Sequence, residues 1–317
     1  MTAEEKTTLA CFFDTVSAYL GSGYANSGAD YAFKDDPEAV PESQMTEGQM
    51  PAGHQTAAPK AAGAEPEADA FSIPLAYLVP EAAEDDSPLK ELEAEIRSCT
   101  ACPLAKTRTK AVPGEGPASP LVMVIGEGPG GDEDIAGRPF VGRAGQLLDK
   151  MLASAGLYRE KNCYIANVVK CRPPGNRDPM PEEIACCAPY LERQIALLKP
   201  LLILCAGRVA ARHILRTEEG IGRLRGKIGE YPAAVEIVET GTLQSDSIPP
   251  IPVIPTFHPS ALLRDESLKH PAFEDLKQLM AALAKLDKSY AAEVKPLLAK
   301  YAAKDPAFAE KVRALSR

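Results

Sequence analysis

The sequence predicts an α/β domain in which helices cover both faces of a parallel sheet. Three observations carry that expectation. First, four short runs rich in Val, Ile and Leu read as fully buried strands, at Leu121–Ile125, Tyr164–Val169, Leu201–Cys205 and Val253–Phe257. Second, helical periodicity fills the intervals at 142–155, 181–198 and 207–215 and recurs at 273–286. Crossovers of that length build βαβ units and so impose parallel pairing. Third, charge divides the 317 residues into three pieces. Residues 1–87 hold 16 Asp/Glu against 3 Lys/Arg, residues 88–287 hold 25 of each, and residues 288–317 hold 7 Lys/Arg against 3 Asp/Glu. The middle piece, neutral and strand-rich, is the domain.

Taken in order, residues 1–20 contain an amphipathic helix. Leu9, Phe12, Phe13, Val16, Tyr19 and Leu20 recur at three- and four-residue spacing, and Gly21 stops it. Such a helix either packs on its own chain or docks on a protein partner. Residues 21–87 show no periodicity and are rich in Ala, Pro, Glu, Asp and Gly, the composition of a disordered acidic arm. The α/β domain spans 88–287, opening with a short helix from Leu89 to Arg97, and 288–317 form a basic helical tail. No uncharged apolar run approaches the ~20 residues that cross a bilayer. Glu4 and Glu5 precede the first apolar stretch, the wrong sign for a secretory signal. Eight cysteines in a chain of this size fit metal-binding thiols in a reducing, cytoplasmic setting better than a disulfide scaffold.

The cysteines repay attention by position. Cys99 and Cys102 form a C-x2-C pair directly after the first helix, Cys171 ends the second strand, and Cys187 lies on the next helix. Four thiolates drawn from three chain segments satisfy tetrahedral zinc or a 4Fe–4S cluster. Paired zinc knuckles usually supply two tight pairs, and only one is present, which favours iron–sulfur. Cys11, Cys163 and Cys205 sit inside apolar patterns as small hydrophobes. Cys186 neighbours Cys187 at about 100° around a helix, so only one of the two can face a common site.

In open parallel sheets, ligands bind beyond the carboxyl ends of the strands. After the first strand comes Gly126-Glu127-Gly128-Pro129-Gly130-Gly131, then Asp132-Glu133-Asp134. The glycines match a dinucleotide fingerprint in form, but three acidic residues stand where a pyrophosphate needs bare amides. Next comes Gly137-Arg138-Pro139-Phe140-Val141-Gly142-Arg143, whose aromatic suits stacking on a base. The second strand runs into Asn167 and then Lys170-Cys171-Arg172-Pro173-Pro174-Gly175-Asn176-Arg177. The fourth strand is followed by His258-Pro259-Ser260-Ala261-Leu262-Leu263-Arg264. A neutral imidazole there can donate to a developing oxyanion, and leucines beside an arginine suit a wedge next to a phosphate contact.

In this order, these segments resemble the family 4 uracil-DNA glycosylases, the iron–sulfur branch of the uracil-DNA glycosylase superfamily, through residues 89–286. The resemblance implies a three-layer α/β/α fold around a four-stranded parallel sheet, and a monomeric catalytic domain. It also implies that Cys99, Cys102, Cys171 and Cys187 hold a 4Fe–4S cluster. The activity implied is hydrolysis of the uracil N-glycosidic bond after the nucleotide is flipped from the DNA stack. Phe140 would stack on uracil, Asn167 would read its edge, Glu133 would crowd C5 against thymine, and His258 would hold O2. Arg143, Arg172, Pro259, Ser260, Leu262 and Arg264 would contact DNA. One departure touches the chemistry. In the best-known branch, the third residue of the first motif is a water-positioning Asp; here it is Gly128, leaving Glu127 and Glu133 as candidates for the base. An iron–sulfur protein that binds lesions without cleaving them is the competing reading. A covalent-capture relative would carry a His between Gly220 and Lys227, where this chain has Arg223, Arg225 and Lys227 but no His.

Overall fold

The computed structural model describes residues 87–231, 236–237, 243–244 and 250–313. The expected helix at 1–20 and nearly all of the acidic arm lie outside those residues. The first helix, α1 (Ser87–Ser98), buries Leu89, Leu92 and Ile96 along one side. The elements that follow are β1 (Val122–Gly126), α2 (Gly131–Ala136), α3 (Arg143–Ala153), β2 (Cys163–Asn167), α4 (Pro181–Leu198) and β3 (Leu202–Ala206). Then come α5 (Arg208–Leu215), α6 (Ile221–Leu224), β4 (Gly229–Tyr231), and a two-residue pair β5 (Glu236–Ile237) and β6 (Leu243–Gln244). The chain continues through β7 (Ile251–Thr256), α7 (Pro259–Arg264), α8 (Lys269–Leu286), α9 (Lys288–Ala302) and α10 (Pro306–Arg313).

The main sheet has the order β2-β1-β3-β7-β4. Its first four strands are parallel, as expected, and each falls within two residues of the predicted run. A fifth strand corrects the expected count of four: β4 pairs antiparallel with β7, setting Gly229 opposite Val253 and Tyr231 opposite Ile251. Three residues with a single buried side chain are too short to register a period of two.

Alternation along the strands sorts the core into two apolar layers. Val122, Val124, Cys163, Ile165, Leu202 and Leu204 face one side and meet Leu148 and Met151 of α3 and Leu279 and Leu283 of α8. Met123, Ile125, Tyr164, Ala166, Ile203 and Cys205 face the other and meet α1, Leu191 and Ile195 of α4, and Ile214 of α5. The architecture is three layers, α/β/α.

Of the 288–317 segment, set apart in the sequence as a tail, the described residues, up to 313, share the first of these layers. Tyr290, Val294, Leu298 and Phe308 are buried in it. The Tyr290 hydroxyl donates to the Ala155 carbonyl at 2.6 Å, and that of Tyr301 to the Ser154 carbonyl at 3.0 Å. Lys277 pairs with Asp305 while lying over the rings of Phe273 and Phe308. Among the described residues, no helix is long and apolar enough to cross a membrane.

Candidate active site

Parallel pairing sets Gly126, the last residue of β1, beside Asn167, the last of β2. A Cβ on Gly126 would fall 2.4 Å from Asn167 Oδ1 and 2.6 Å from Phe140 Cζ, so only glycine lets these two side chains meet there. Asn167 is buried, and among the described residues its Oδ1 has no hydrogen-bond partner. A buried acceptor without a donor costs free energy unless a ligand satisfies it.

Phe140 is held in place by its loop. Its backbone is left-handed, with φ of 51°. Arg159, buried, donates to the carbonyls of Pro139 at 3.0 Å and Phe140 at 2.8 Å. Gly145 lets α3 pass beneath, since a Cβ there would stand 1.9 Å from the Phe140 carbonyl oxygen. Glu133 closes the clamp: Oε1 accepts from Val141 N at 2.9 Å and Gly142 N at 3.0 Å, and Oε2 from Gly130 N at 3.1 Å. Its carboxylate thus ties the two loops beyond β1 together.

His258 reaches the same place from the end of β7. Its ring centroid lies 5.6 Å from that of Phe140, and Gly207, at φ 97°, leaves room behind it. The backbone N–H of Ser260 donates to His258 Nδ1 at 3.1 Å. An amide can only donate, so Nδ1 is an acceptor and the ring hydrogen sits on Nε2. Burial, assisted by Arg264, pulls the imidazole down to about 4. The ring is therefore neutral at ordinary pH and presents an Nε2–H donor.

The two leucines beyond it separate. Leu262 is buried in the core, whereas Leu263 is 40% exposed. The expectation of a DNA wedge at Leu262 is corrected accordingly: successive residues of α7 point about 100° apart, and the core takes the first. Pro259 is likewise buried and starts the helix, and Ser260 serves the histidine.

At the first motif, a Cβ on Gly128 would come within 2.8 Å of Val169 Cγ2, so the position faces the chain leaving β2. Beside it, Glu127 is half-buried. Burial, and next the Asp178 carboxylate, push its carboxyl up to about 7, while Arg208 pulls the other way. Arg208 is itself paired with Asp178. Glu127, Asp178 and Arg208 form one charged group, two of whose members no motif or spacing singled out.

Cys99, Cys102, Cys171 and Cys187 line a single recess together with Arg108, Lys170 and Tyr190, and the neighbouring Cys186 stands at its wall. Cys187 is buried and Cys186 exposed, as the helix geometry requires. Among the described residues, no group of three or more His, Cys, Asp or Glu side chains closes around a point where one metal ion would sit. The donor set in the recess is nonetheless all sulfur, with N–H groups turned toward it. Arg108 Nη1 donates to Cys171 Sγ at 3.0 Å and Lys170 N to Cys187 Sγ at 3.2 Å. Burial pushes the Cys187 thiol up to about 11 against the pull of Lys170.

Several cations of the loops around the site are engaged within the protein. Lys170 is 1% exposed. Arg138 pairs with Glu115, Arg177 with Glu183, and Arg225 with the fully buried Asp275. Arg143, Arg223, Lys227 and Arg264 are exposed, and Arg172 is half-buried with its Nε donating to Asn176 Oδ1.

Residues 113–282 match the family model described as the uracil DNA glycosylase superfamily. A type-4 uracil-DNA glycosylase of Archaeoglobus fulgidus is 42% identical over 195 residues, 60% of this chain and 91% of that protein. Type-4 enzymes of Pyrobaculum aerophilum and Thermotoga maritima are 42% and 41% identical, over 91% and 96% of their lengths and 59% and 62% of this chain. Phe140 set beside both Asn167 and His258 at the strand ends of a parallel sheet, cysteines from three chain segments around one recess, and relatives matched over nine-tenths of their length lead to one assignment: the chain belongs to the uracil-DNA glycosylase superfamily, in its type-4 branch.

Proposed function

We propose that this protein removes uracil from DNA by hydrolysing the N-glycosidic bond and leaving an abasic site. The observation that carries the proposal is Asn167 Oδ1, buried beside Gly126 and Phe140 and without a hydrogen-bond partner among the described residues, with the His258 ring 5.6 Å from that of Phe140. Uracil in a duplex hides that bond in the stack, so the nucleotide must turn out at a cost of a few kcal/mol. In the pocket, Phe140 stacks on the ring. Asn167 Oδ1 accepts from uracil N3–H, a donor cytosine lacks, and its amide N–H donates to O4. The clamp held by Glu133 crowds the C5 edge, where thymine carries a methyl group. As the bond breaks, negative charge gathers on uracil O2, and a fixed neutral donor at His258 stabilises it without any proton transfer. The half-buried carboxyl of Glu127 is the base that orients the attacking water, in place of the carboxylate that Gly128 cannot supply.

The four sulfurs fit a 4Fe–4S cluster: their recess is lined by thiols, and N–H groups of Arg108 and Lys170 are turned toward two of them. Cys99, Cys102, Cys171 and Cys187 would hold it, and when bound it would cross-link three distant segments beside the DNA-facing loops.

Incubation with uracil-containing DNA followed by alkaline scission tests the activity. Cleavage at uracil is expected, with Asn167→Ala and His258→Ala each slowed by ~10²–10³ while the fold is kept. Tight binding without scission would make the protein a lesion binder instead.

A further inference from the structure

Lys170 lines the cysteine recess and reaches from it to the end of β2, where Asn167 stands. It is 1% exposed, and every polar group it has is used. Its backbone N–H donates to Cys187 Sγ at 3.2 Å, and its carbonyl accepts from Val112 N at 2.8 Å. Its side chain turns back along the strand, so that Nζ donates to the Asn167 carbonyl at 2.8 Å and to Gln194 Oε1 at 2.6 Å. Gln194 is fully buried and fixed in turn, donating to the Pro113 carbonyl at 2.9 Å and to the Tyr164 hydroxyl at 3.3 Å. It shares α4 with Cys187, two turns away. One residue therefore joins the peptide that aims Asn167 to a sulfur of the recess and to the helix that presents it.

We propose that Lys170 is a positioning residue that couples Asn167, the uracil-reading side chain, to the thiolate shell of the cluster. The inference rests on the function proposed above and deepens it. A lysine buried this completely is costly unless its donors are met, and both acceptors found here are neutral. The retained geometry is what the ammonium supplies: it pins the carbonyl of Asn167, while its own backbone is pinned by Cys187. Movement of the cysteine shell is thereby transmitted to the angle at which Asn167 meets the base, and ligation at Asn167 is transmitted back to the shell.

The test uses the full-length holoprotein and a double-mutant cycle. Lys170→Met is expected to slow single-turnover excision about 10- to 100-fold, the usual cost of losing an outer-shell partner. In an Asn167→Ala background, the same change is expected to add almost nothing, because the residue it aims is gone. A second readout does not depend on turnover. Free uracil at saturating concentration is expected to slow the loss of the visible absorbance to an iron chelator in the wild-type protein, and to have no effect on that rate in Lys170→Met. Additive losses in the cycle, or equal protection by uracil in both proteins, would overturn the coupling. If Lys170→Met fails to load iron, Gln194→Leu removes the ammonium's other acceptor and is read in the same way. Wild-type protein that leaves uracil DNA intact would instead overturn the underlying function, a result separable from either outcome.

Discussion

At the scale of single residues, the site works by fixing protons. Ser260 holds His258 in the tautomer that donates through Nε2, and burial keeps the ring uncharged down to about pH 4. Excision should therefore show no limb from His258 between pH 5 and 8. Glu127 behaves oppositely. Its carboxyl, raised to about 7 by burial and by Asp178, is protonated below that value and can serve as a base only above it. The rate of excision is expected to climb with pH through about 7 and then level, and Glu127→Gln should abolish the climb along with most of the rate. A profile that keeps its acid limb in Glu127→Gln would assign the limb to another group. The cysteines give an equally local prediction. Cys171→Ser should strip the iron and the broad absorbance near ~400 nm expected of a cluster, while Cys186→Ser, altering an exposed side chain, should keep both. Colourless wild-type protein with stoichiometric zinc would reject the cluster. Asn167 and His258 were legible because each lies at or just beyond a strand end, where a parallel sheet places its site, and Phe140 because it is the large aromatic of a loop rich in Gly and Arg. Asp178 and Arg108 were not, since a single charged residue in a loop carries no period and its partner lies far off in sequence.

At the scale of elements, neighbouring side chains on one short helix take opposite parts. In α7, Leu262 fills the core below the histidine loop and Leu263 stands out beside the exposed Arg264. Leu262→Ala should cost ~2–5 kcal/mol of stability, as buried leucine truncations do. Leu263→Ala should leave stability nearly unchanged and weaken excision from duplex DNA more than from single strands, because a wedge is needed only where a stack must be opened. Equal losses on both substrates would remove Leu263 from base flipping. The sequence marked this turn but not which leucine faced out, since both fit an apolar pattern at a strand exit. Helix starts were blurred for a related reason. The run read from 273 begins at Lys269, with Pro271 accommodated in the first turn, where its missing N–H has no partner to lose. Arg225, one of the three cations between Gly220 and Lys227, donates to Asp275 at 3.1 and 2.9 Å and lies 5.3 Å from the Phe257 ring, bracing the strand that delivers His258.

Across the whole molecule, the balance of charge sets how the protein meets DNA. Residues 88–287 are neutral; Arg138, Arg177 and Arg225 are bound to carboxylates, and the exposed or half-buried Arg143, Arg172, Arg223, Lys227 and Arg264 are candidates for phosphate contact. Four or five such contacts give a slope of log affinity against log salt of roughly −4, since each neutralised phosphate contributes ~0.9. Against this stands the acidic segment: residues 1–86 carry 16 Asp/Glu and 3 Lys/Arg, tethered to the same domain. A negative charge of that size competes with phosphate for exposed arginines, and it repels an approaching duplex over about one Debye length. Deleting residues 1–86 is therefore expected to tighten DNA binding at low salt, with the two affinities converging as salt screens the arm. The chemical step at saturating enzyme should be unchanged, because none of the residues placed around the base belongs to the deleted segment. The measurement is a salt titration of affinity for a uracil-containing duplex, full-length beside truncated protein. Coincident lines across the titration would show that the acidic segment does not oppose DNA.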